Sequence, residues 1–177
     1  TYMRPSFGFG GSCLPKELRA LAVAGQDRGL EMHVTVAASE ANAAQQHRFA
    51  ERIADALGGL AGMHIGLLGL AFKAGTDDVR DSPAVALAER LLAGGATVRA
   101  YDPEAAANAR RRIPELHTVD SPEAAIRDAD AVVIATEWPE FAALDWEALR
   151  PLVRGALVVD GRRLLDPARV RAAGFRY

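Results

Sequence analysis

A lone cysteine, Cys13, stands in the run Gly8-Phe9-Gly10-Gly11-Ser12-Cys13-Leu14-Pro15-Lys16-Glu17, the stretch of this chain best suited to chemistry. Three glycines in four positions let backbone approach a neighbour closely, because no Cβ intervenes. Pro15 suits the first turn of a helix, where its missing N–H costs nothing. Cys13 is therefore expected just before a helix N-terminus, where free N–H groups and the helix dipole favour a thiolate. The same placement also suits a small buried residue packed in a glycine turn, since free cysteines are among the most buried residue types. The pattern alone leaves a nucleophile and a packing residue both open.

A second set of candidates lies at the ends of short apolar runs: Phe72-Lys73, Asp102-Pro103, Thr136-Glu137-Trp138 and Asp160-Gly161-Arg162. If the runs are parallel strands, ligands bind beyond their carboxyl ends. Two cations, an aromatic pair and a threonine would then converge on one edge, which suits a flat base carrying phosphate. The first run, Gly66-Leu67-Leu68-Gly69-Leu70-Ala71-Phe72-Lys73, lacks the G-x-G-x-x-G spacing and is not followed at once by a helix, so it does not predict a dinucleotide cradle. The charged loop from Lys73 to Asp81 reads equally well as a solvated turn with local ion pairs. The four histidines (33, 47, 64 and 117) have no metal-ligand spacing with one another or with Cys13, and no metal is expected. Arg110, Arg111 and Arg112 read as a solvated helix end, and Trp138 and Trp146 as core or edge aromatics.

The elements that must position these residues fall into two parts. Residues 1–59 read as the cysteine loop and a helical segment, with helices at 15–28 and 31–57 stopped by Gly29 and by Gly58-Gly59. The second is far longer than the average helix of about 11 residues and needs burial along its length, as a connector or as a subunit interface. From 60 to 177 the pattern alternates. Apolar runs at 65–70, 97–101, 117–119, 131–135 and 156–160 are separated by helices whose starts are marked by Ser82-Pro83, Ser121-Pro122 and Asp166-Pro167. This alternation predicts an α/β fold: a Rossmann-like, doubly wound parallel sheet preceded by a helical segment with one long central helix.

The chain has 177 residues, half of them hydrophobic and a quarter charged, with a net charge of −2. That balance argues against nucleic acid or an anionic membrane as partner. No segment reaches the roughly 18 apolar residues of a membrane span. A single cysteine rules out an internal disulfide and suits a reducing cytoplasm. The chain starts at Thr1, inside what reads as a functional loop, so a C-terminal part of a larger protein is expected.

Together these segments resemble the UDP-glucose/GDP-mannose dehydrogenase family. The run Gly8 to Lys16 is similar to its catalytic cysteine motif. Gly69-Leu70-Ala71-Phe72-Lys73 with Thr76-Asp77-Asp78-Val79-Arg80-Asp81-Ser82-Pro83 is similar to the opening of its nucleotide-sugar domain. Tyr101-Asp102-Pro103, Ala135 to Phe141 and Asp160-Gly161-Arg162 follow in the family's order. The resemblance implies a two-step oxidation of a nucleotide-sugar primary alcohol to a carboxylate with NAD, UDP-glucose first among the substrates, GDP-mannose or a UDP-N-acetyl sugar as alternatives. It implies Cys13 as nucleophile with Lys16 beside it. Glu17 stands where the family usually has aspartate, its carboxylate moved by about 1.5 Å by the extra methylene. The sugar pocket would be lined by Phe7, Gly8, Phe9, Gly10 and Gly11 with Arg4 as a basic neighbour. Phe72, Lys73 and Arg162 would hold the base and diphosphate, and Arg80 would reach NAD. The helix at 31–57 would form a homodimer interface. The NAD-binding domain would precede Thr1, and the chain alone is expected to be inactive. A non-catalytic nucleotide-sugar-binding or dimerisation module with an inert Cys13 is the competing reading. An enzyme of the aldehyde dehydrogenase type is disfavoured, because simple aldehydes need no diphosphate clamp.

Overall fold

The structure is a computed structural model that describes residues 5–177. Two helices lead, α1 (Leu14–Gln26) and α2 (His33–Leu57). An alternating series follows: β1 (His64–Leu68), α3 (Pro83–Ala93), β2 (Thr97–Tyr101), α4 (Ala106–Arg112), β3 (His117–Thr118), α5 (Pro122–Ile126), β4 (Ala131–Ile134), α6 (Pro139–Ala143), α7 (Trp146–Leu149), β5 (Leu157–Asp160) and α8 (Pro167–Ala172). All the strand pairs are parallel, in the order β3-β2-β1-β4-β5. The chain thus winds one way from β1 to β3 and then the other way from β4 to β5. The reversal between β1 and β4 is the switch point at which such sheets bind ligands.

The three predicted helix starts form as expected, each for a local reason. The Ser121 and Asp166 side chains accept hydrogen bonds from Ala124 N–H (3.1 Å) and Ala168 N–H (2.8 Å), satisfying first-turn donors. Ser82 does the same for Val85 N–H at 3.5 Å while its hydroxyl donates to the Leu70 carbonyl at 2.7 Å, so one residue starts α3 and ties it to the end of β1. Helix α2 stops where Gly58 takes a left-handed conformation (φ 77°) and Gly59 N–H returns to the Ala54 carbonyl.

Boundaries differ from expectation by up to two residues, and β1 shows why. The apolar run reaches Leu70, but the strand ends at Leu68. The Leu70 and Ala71 amides leave the ladder and donate instead to the buried Asp102 carboxylate, at 2.7 and 2.9 Å. Apolar content predicted burial there correctly, and the tertiary partner changed the conformation.

The core is continuous from the sheet into the leading segment. Ile65, Leu67, Leu68, Val133 and Ile134 pack with Phe7 from the cysteine loop and with Ala50 and Ile53 from the second half of α2. Residues 5–59 and 60–177 therefore share one hydrophobic core. Helix α1 and the first half of α2 stand apart from it, with Leu21, Val23, Leu30, Val34 and Val36 at the surface.

Candidate active site

The switch point is closed by three inward-facing side chains. Thr136, fully buried, donates from Oγ1 to the Ala71 carbonyl at 2.7 Å. Asp102 accepts from Leu70 N–H, Ala71 N–H and the Trp138 indole N–H (3.1 Å) on one oxygen, and from Glu104 and Ala105 N–H on the other. The expected convergence of Thr136 and Trp138 on a ligand is thus corrected: both spend their polar atoms inside the protein. A buried hydroxyl or indole N–H takes an internal partner whenever one is in reach, because leaving it unmade is costly.

Arg162 crosses the same point from the end of β5. Its Nε donates to the Ala135 carbonyl at 2.9 Å and its Nη2 to the Phe72 carbonyl at 2.6 Å. Its guanidinium lies 5.8 Å from the Phe7 ring centroid. Burial lowers its pKa, opposed by the Glu137 carboxylate at 3.0 Å. Two of its five N–H donors are bonded to these carbonyls, and the others remain for an oxyanion. Arg162 thus sits beside Phe72, and Phe72 N–H closes the following loop on the Asp78 carbonyl at 3.1 Å. Lys73 Nζ lies 5.5 Å from the Phe72 ring centroid with its head in solvent. Phe72, Lys73 and Arg162 therefore form one group at the sheet edge.

The cysteine loop is anchored across this group. Phe7 N–H donates to the Gly161 carbonyl at 3.3 Å, and its ring stacks on Phe49 of α2 at 4.4 Å. Phe9 is held from both sides by Asn42, whose amide oxygen accepts from Phe9 N–H (2.8 Å) and whose NH₂ donates to the Phe9 carbonyl (3.1 Å). Gly8 lies against Asn42 and Gln46, and Gly10 against the Asp81 backbone. Gly11 donates its N–H to the Arg80 carbonyl at 3.0 Å with φ at 94°, and a Cβ there would meet the Phe72 ring at 2.6 Å. Only glycine satisfies both the left-handed backbone and the ring contact.

Cys13 occupies the N-cap of α1, and its carbonyl accepts from Glu17 N–H at 2.8 Å. The thiol is exposed, 3.6 Å from the Ser12 hydroxyl, which removes the buried-packing alternative. The Arg80 backbone is tied to the same loop, its carbonyl accepting from Gly11 N–H. The Arg80 guanidinium is gripped by Asp78 through Nε (3.0 Å) and Nη2 (2.8 Å), and these bonds hold the Asp78 carboxyl below its ordinary range. Lys16 and Glu17 are exposed and pair with each other at 3.3 Å. Phe9, Lys16, Asn42 and Arg80 line an open cleft of about 790 Å³ between α1, α2 and the start of α3. Two groups result, one at the sheet edge and one around the cleft, joined by Gly10 and Gly11. Arg4 lies outside the described residues.

Asp102 and Glu137, candidates in the sequence only as strand-end residues, complete this arrangement together with Asn42 and Asp78, which were not read as site residues. Asn42 carried a signal: it interrupts the alanine-rich middle of a helix, where asparagine is a poor helix former.

A dinucleotide does not fit β1, because Gly69 is packed directly on Thr136 and no helix follows until Pro83. Arg80, the residue expected to reach NAD, is exposed and paired with Asp78. Among the described residues no cluster of three or more His, Cys, Asp or Glu side chains forms a metal site, and no helix is long and apolar enough to cross a membrane.

The fold and the site define a Rossmann-like nucleotide-binding domain carrying an exposed cysteine on a glycine loop. Residues 66–167 match the UDP-binding domain of the UDP-glucose/GDP-mannose dehydrogenase family, and residues 1–44 match that family's central domain. The chain belongs to the UDP-glucose/GDP-mannose dehydrogenase family. It is 42% identical over 177 residues to the UDP-glucose 6-dehydrogenase of Pseudomonas aeruginosa, covering 96% of this chain and 39% of that protein. The solved UDP-glucose dehydrogenase of Pyrobaculum islandicum superposes with a TM-score of 0.81 at 40% identity, over 94% of this chain and 36% of that one. A ternary complex of GDP-mannose dehydrogenase from Pseudomonas aeruginosa gives 0.79 at 30% identity, over 93% and 38%. The chain spans about two fifths of the length of the curated relatives it matches.

Proposed function

We propose that this chain is the cysteine-bearing, nucleotide-sugar-binding part of an NAD-dependent dehydrogenase that oxidises UDP-glucose to UDP-glucuronate. The observation that carries the reading is an exposed Cys13 on a glycine loop packed against Phe72, beside Arg162, the cation at the switch point. Lys73 and Arg162 supply charge for the diphosphate, Arg162 through its planar fork. The sugar is read as lying against the loop from Gly8 to Gly11, with Arg4 as a basic neighbour by the family resemblance, whereas Phe7, buried in the core against Phe49, is corrected to a brace for that loop.

The thiolate of Cys13 adds to the aldehyde carbon produced by the first oxidation, and the oxygen takes a proton to give a thiohemiacetal. Loss of hydride from that carbon and of the hydroxyl proton leaves a thioester. Water then cleaves the C–S bond, releasing the carboxylate and restoring the thiol. Covalent capture keeps a reactive aldehyde from escaping. NAD, when bound, supplies the hydride acceptor for both oxidations, with Arg80 as this chain's contact to it. Lys16 and Glu17 at the start of α1 serve the proton transfers, Glu17 in place of the family's aspartate. A free, exposed thiol of this kind suits a reducing cytoplasm. The unpaired apolar side chains of α1 and the first turns of α2 support a homodimer through the helix at 31–57.

The test is NAD reduction by the full-length protein against UDP-glucose, GDP-mannose and a UDP-N-acetyl sugar, with Cys13→Ser as control. UDP-glucose is expected to be the preferred substrate, and Cys13→Ser to block formation of the carboxylate. A Cys13→Ser protein that still completes both oxidations refutes the mechanism.

A further inference from the structure

Among the described residues Glu137 is the one carboxylate paired with the side chain of a sheet-edge cation, and its geometry is unusual. Its Oε2 lies 3.0 Å from Arg162 Nε. The single proton on that nitrogen, however, is given to the Ala135 carbonyl at 2.9 Å. Oε2 is therefore an ion-pair contact with no hydrogen bond, buried from solvent. A buried carboxylate oxygen without a donor is unfavourable and calls for a reason. The rest of the side chain is 31% exposed, so the carboxylate can turn out toward water more readily than Arg162, whose side chain is 11% exposed. Arg162 keeps its position through the Phe72 and Ala135 carbonyls without help from Glu137.

We infer that Glu137 is an internal stand-in for the ligand's phosphate: it neutralises Arg162 while the site is empty and gives way when an anionic nucleotide arrives. This rests on the nucleotide-site reading above and deepens it by assigning a residue that sets affinity. The physical logic has two sides. In the free protein a buried guanidinium with no counter-charge is costly, and the carboxylate removes that cost. In the complex a phosphate on the same guanidinium stands within one side-chain dimension of a second negative charge, so the carboxylate competes with it. The competition depends on ligand charge and leaves the base and ribose untouched. Glu137 is in this sense a positioning residue that acts through Arg162 and lowers phosphate affinity.

The experiment is calorimetric titration of the 177-residue chain and its Glu137→Gln and Glu137→Ala variants with UDP, UMP and uridine, with circular-dichroism melts to establish that each variant is folded. Both substitutions remove the competing charge while leaving the two carbonyl contacts of Arg162 in place. UDP is expected to bind the variants about five- to tenfold more tightly, UMP less so, and uridine equally to the native chain. The UDP gain shrinks as salt is raised. UDP affinity that is unchanged or weaker in the folded variants overturns the inference, as does an equal gain for uridine. A native chain that binds UDP no better than uridine overturns the phosphate site itself, and this inference with it.

Discussion

Replacing Asp102 by asparagine exchanges one carboxylate oxygen for an NH₂ group at a point where five donors converge. Three of them (Leu70 N–H, Ala71 N–H and the Trp138 indole) share one oxygen, and two (Glu104 and Ala105 N–H) share the other. The amide can turn either way. Its cheaper orientation keeps the oxygen on the three donors and sets NH₂ against the other two. At least two N–H groups, one of them on a fully buried residue, thereby lose an acceptor, and the remaining three bonds lose their charge assistance. At roughly 1.5–3 kcal/mol for each bond to a charged group, the loss is about 3–6 kcal/mol. That is a large share of the 5–15 kcal/mol typical of a folded domain. For a chain of this size it corresponds to a fall in Tm of about 3 °C per kcal/mol, so roughly 9–18 °C. Urea unfolding followed by circular dichroism measures the free energy, and calorimetry the Tm. The damage also reaches the site, because Leu70 and Ala71 lead directly into Phe72 and Lys73; UDP affinity of the surviving folded fraction is expected to fall. A folded Asp102→Asn chain that loses less than about 1 kcal/mol refutes the view that this carboxylate holds β1, β4 and α4 together.

Gly11→Ala forces a Cβ onto the Phe72 ring and strains a backbone at φ 94°, so it is expected to cost about 1–3 kcal/mol and to weaken UDP binding about tenfold, read by melting and titration calorimetry. A variant with native melting and native UDP affinity contradicts the packing of loop on ring. Burial, reinforced by Glu140, pushes the Tyr101 phenol up to about 12, against about 10 in an unfolded chain. The unfolded state therefore releases that proton first, and the stabilisation is complete below about pH 10 and lost as pH rises through about 12. Tyr177, raised in the same direction by burial and by its hydrogen bond to Asp160, adds to the effect. Tyr101→Phe should flatten part of this alkaline loss in a stability–pH series, and an unchanged slope counts against it.

Local signals were legible in the residues alone. Ser82-Pro83, Ser121-Pro122 and Asp166-Pro167 start helices because a side-chain oxygen and a ring without N–H settle the first turn with no outside help. The five strands were legible because apolar runs bounded by turns have few alternatives in an α/β pattern. Cys13 at a helix start was legible for the same reason, since Gly10, Gly11 and Pro15 define the local backbone. The end of β1 was not legible, because Leu70 and Ala71 answer to the Asp102 carboxylate, distant in sequence.

Sequence therefore determined the class of fold and the places of the five motifs along it. Tertiary structure decided which residues of those motifs keep their polar atoms for a ligand. Thr136, Trp138 and Asp102 satisfy one another and the backbone inside the protein, whereas Cys13, Lys73 and Arg80 are left outside. Arg162, poised between the two, is spent on two carbonyls and paired with Glu137. A polar side chain at a strand end looks the same in sequence whichever way it turns. Its direction depends on which distant donor or acceptor lies within about 3 Å, and only the packed sheet brings that partner there.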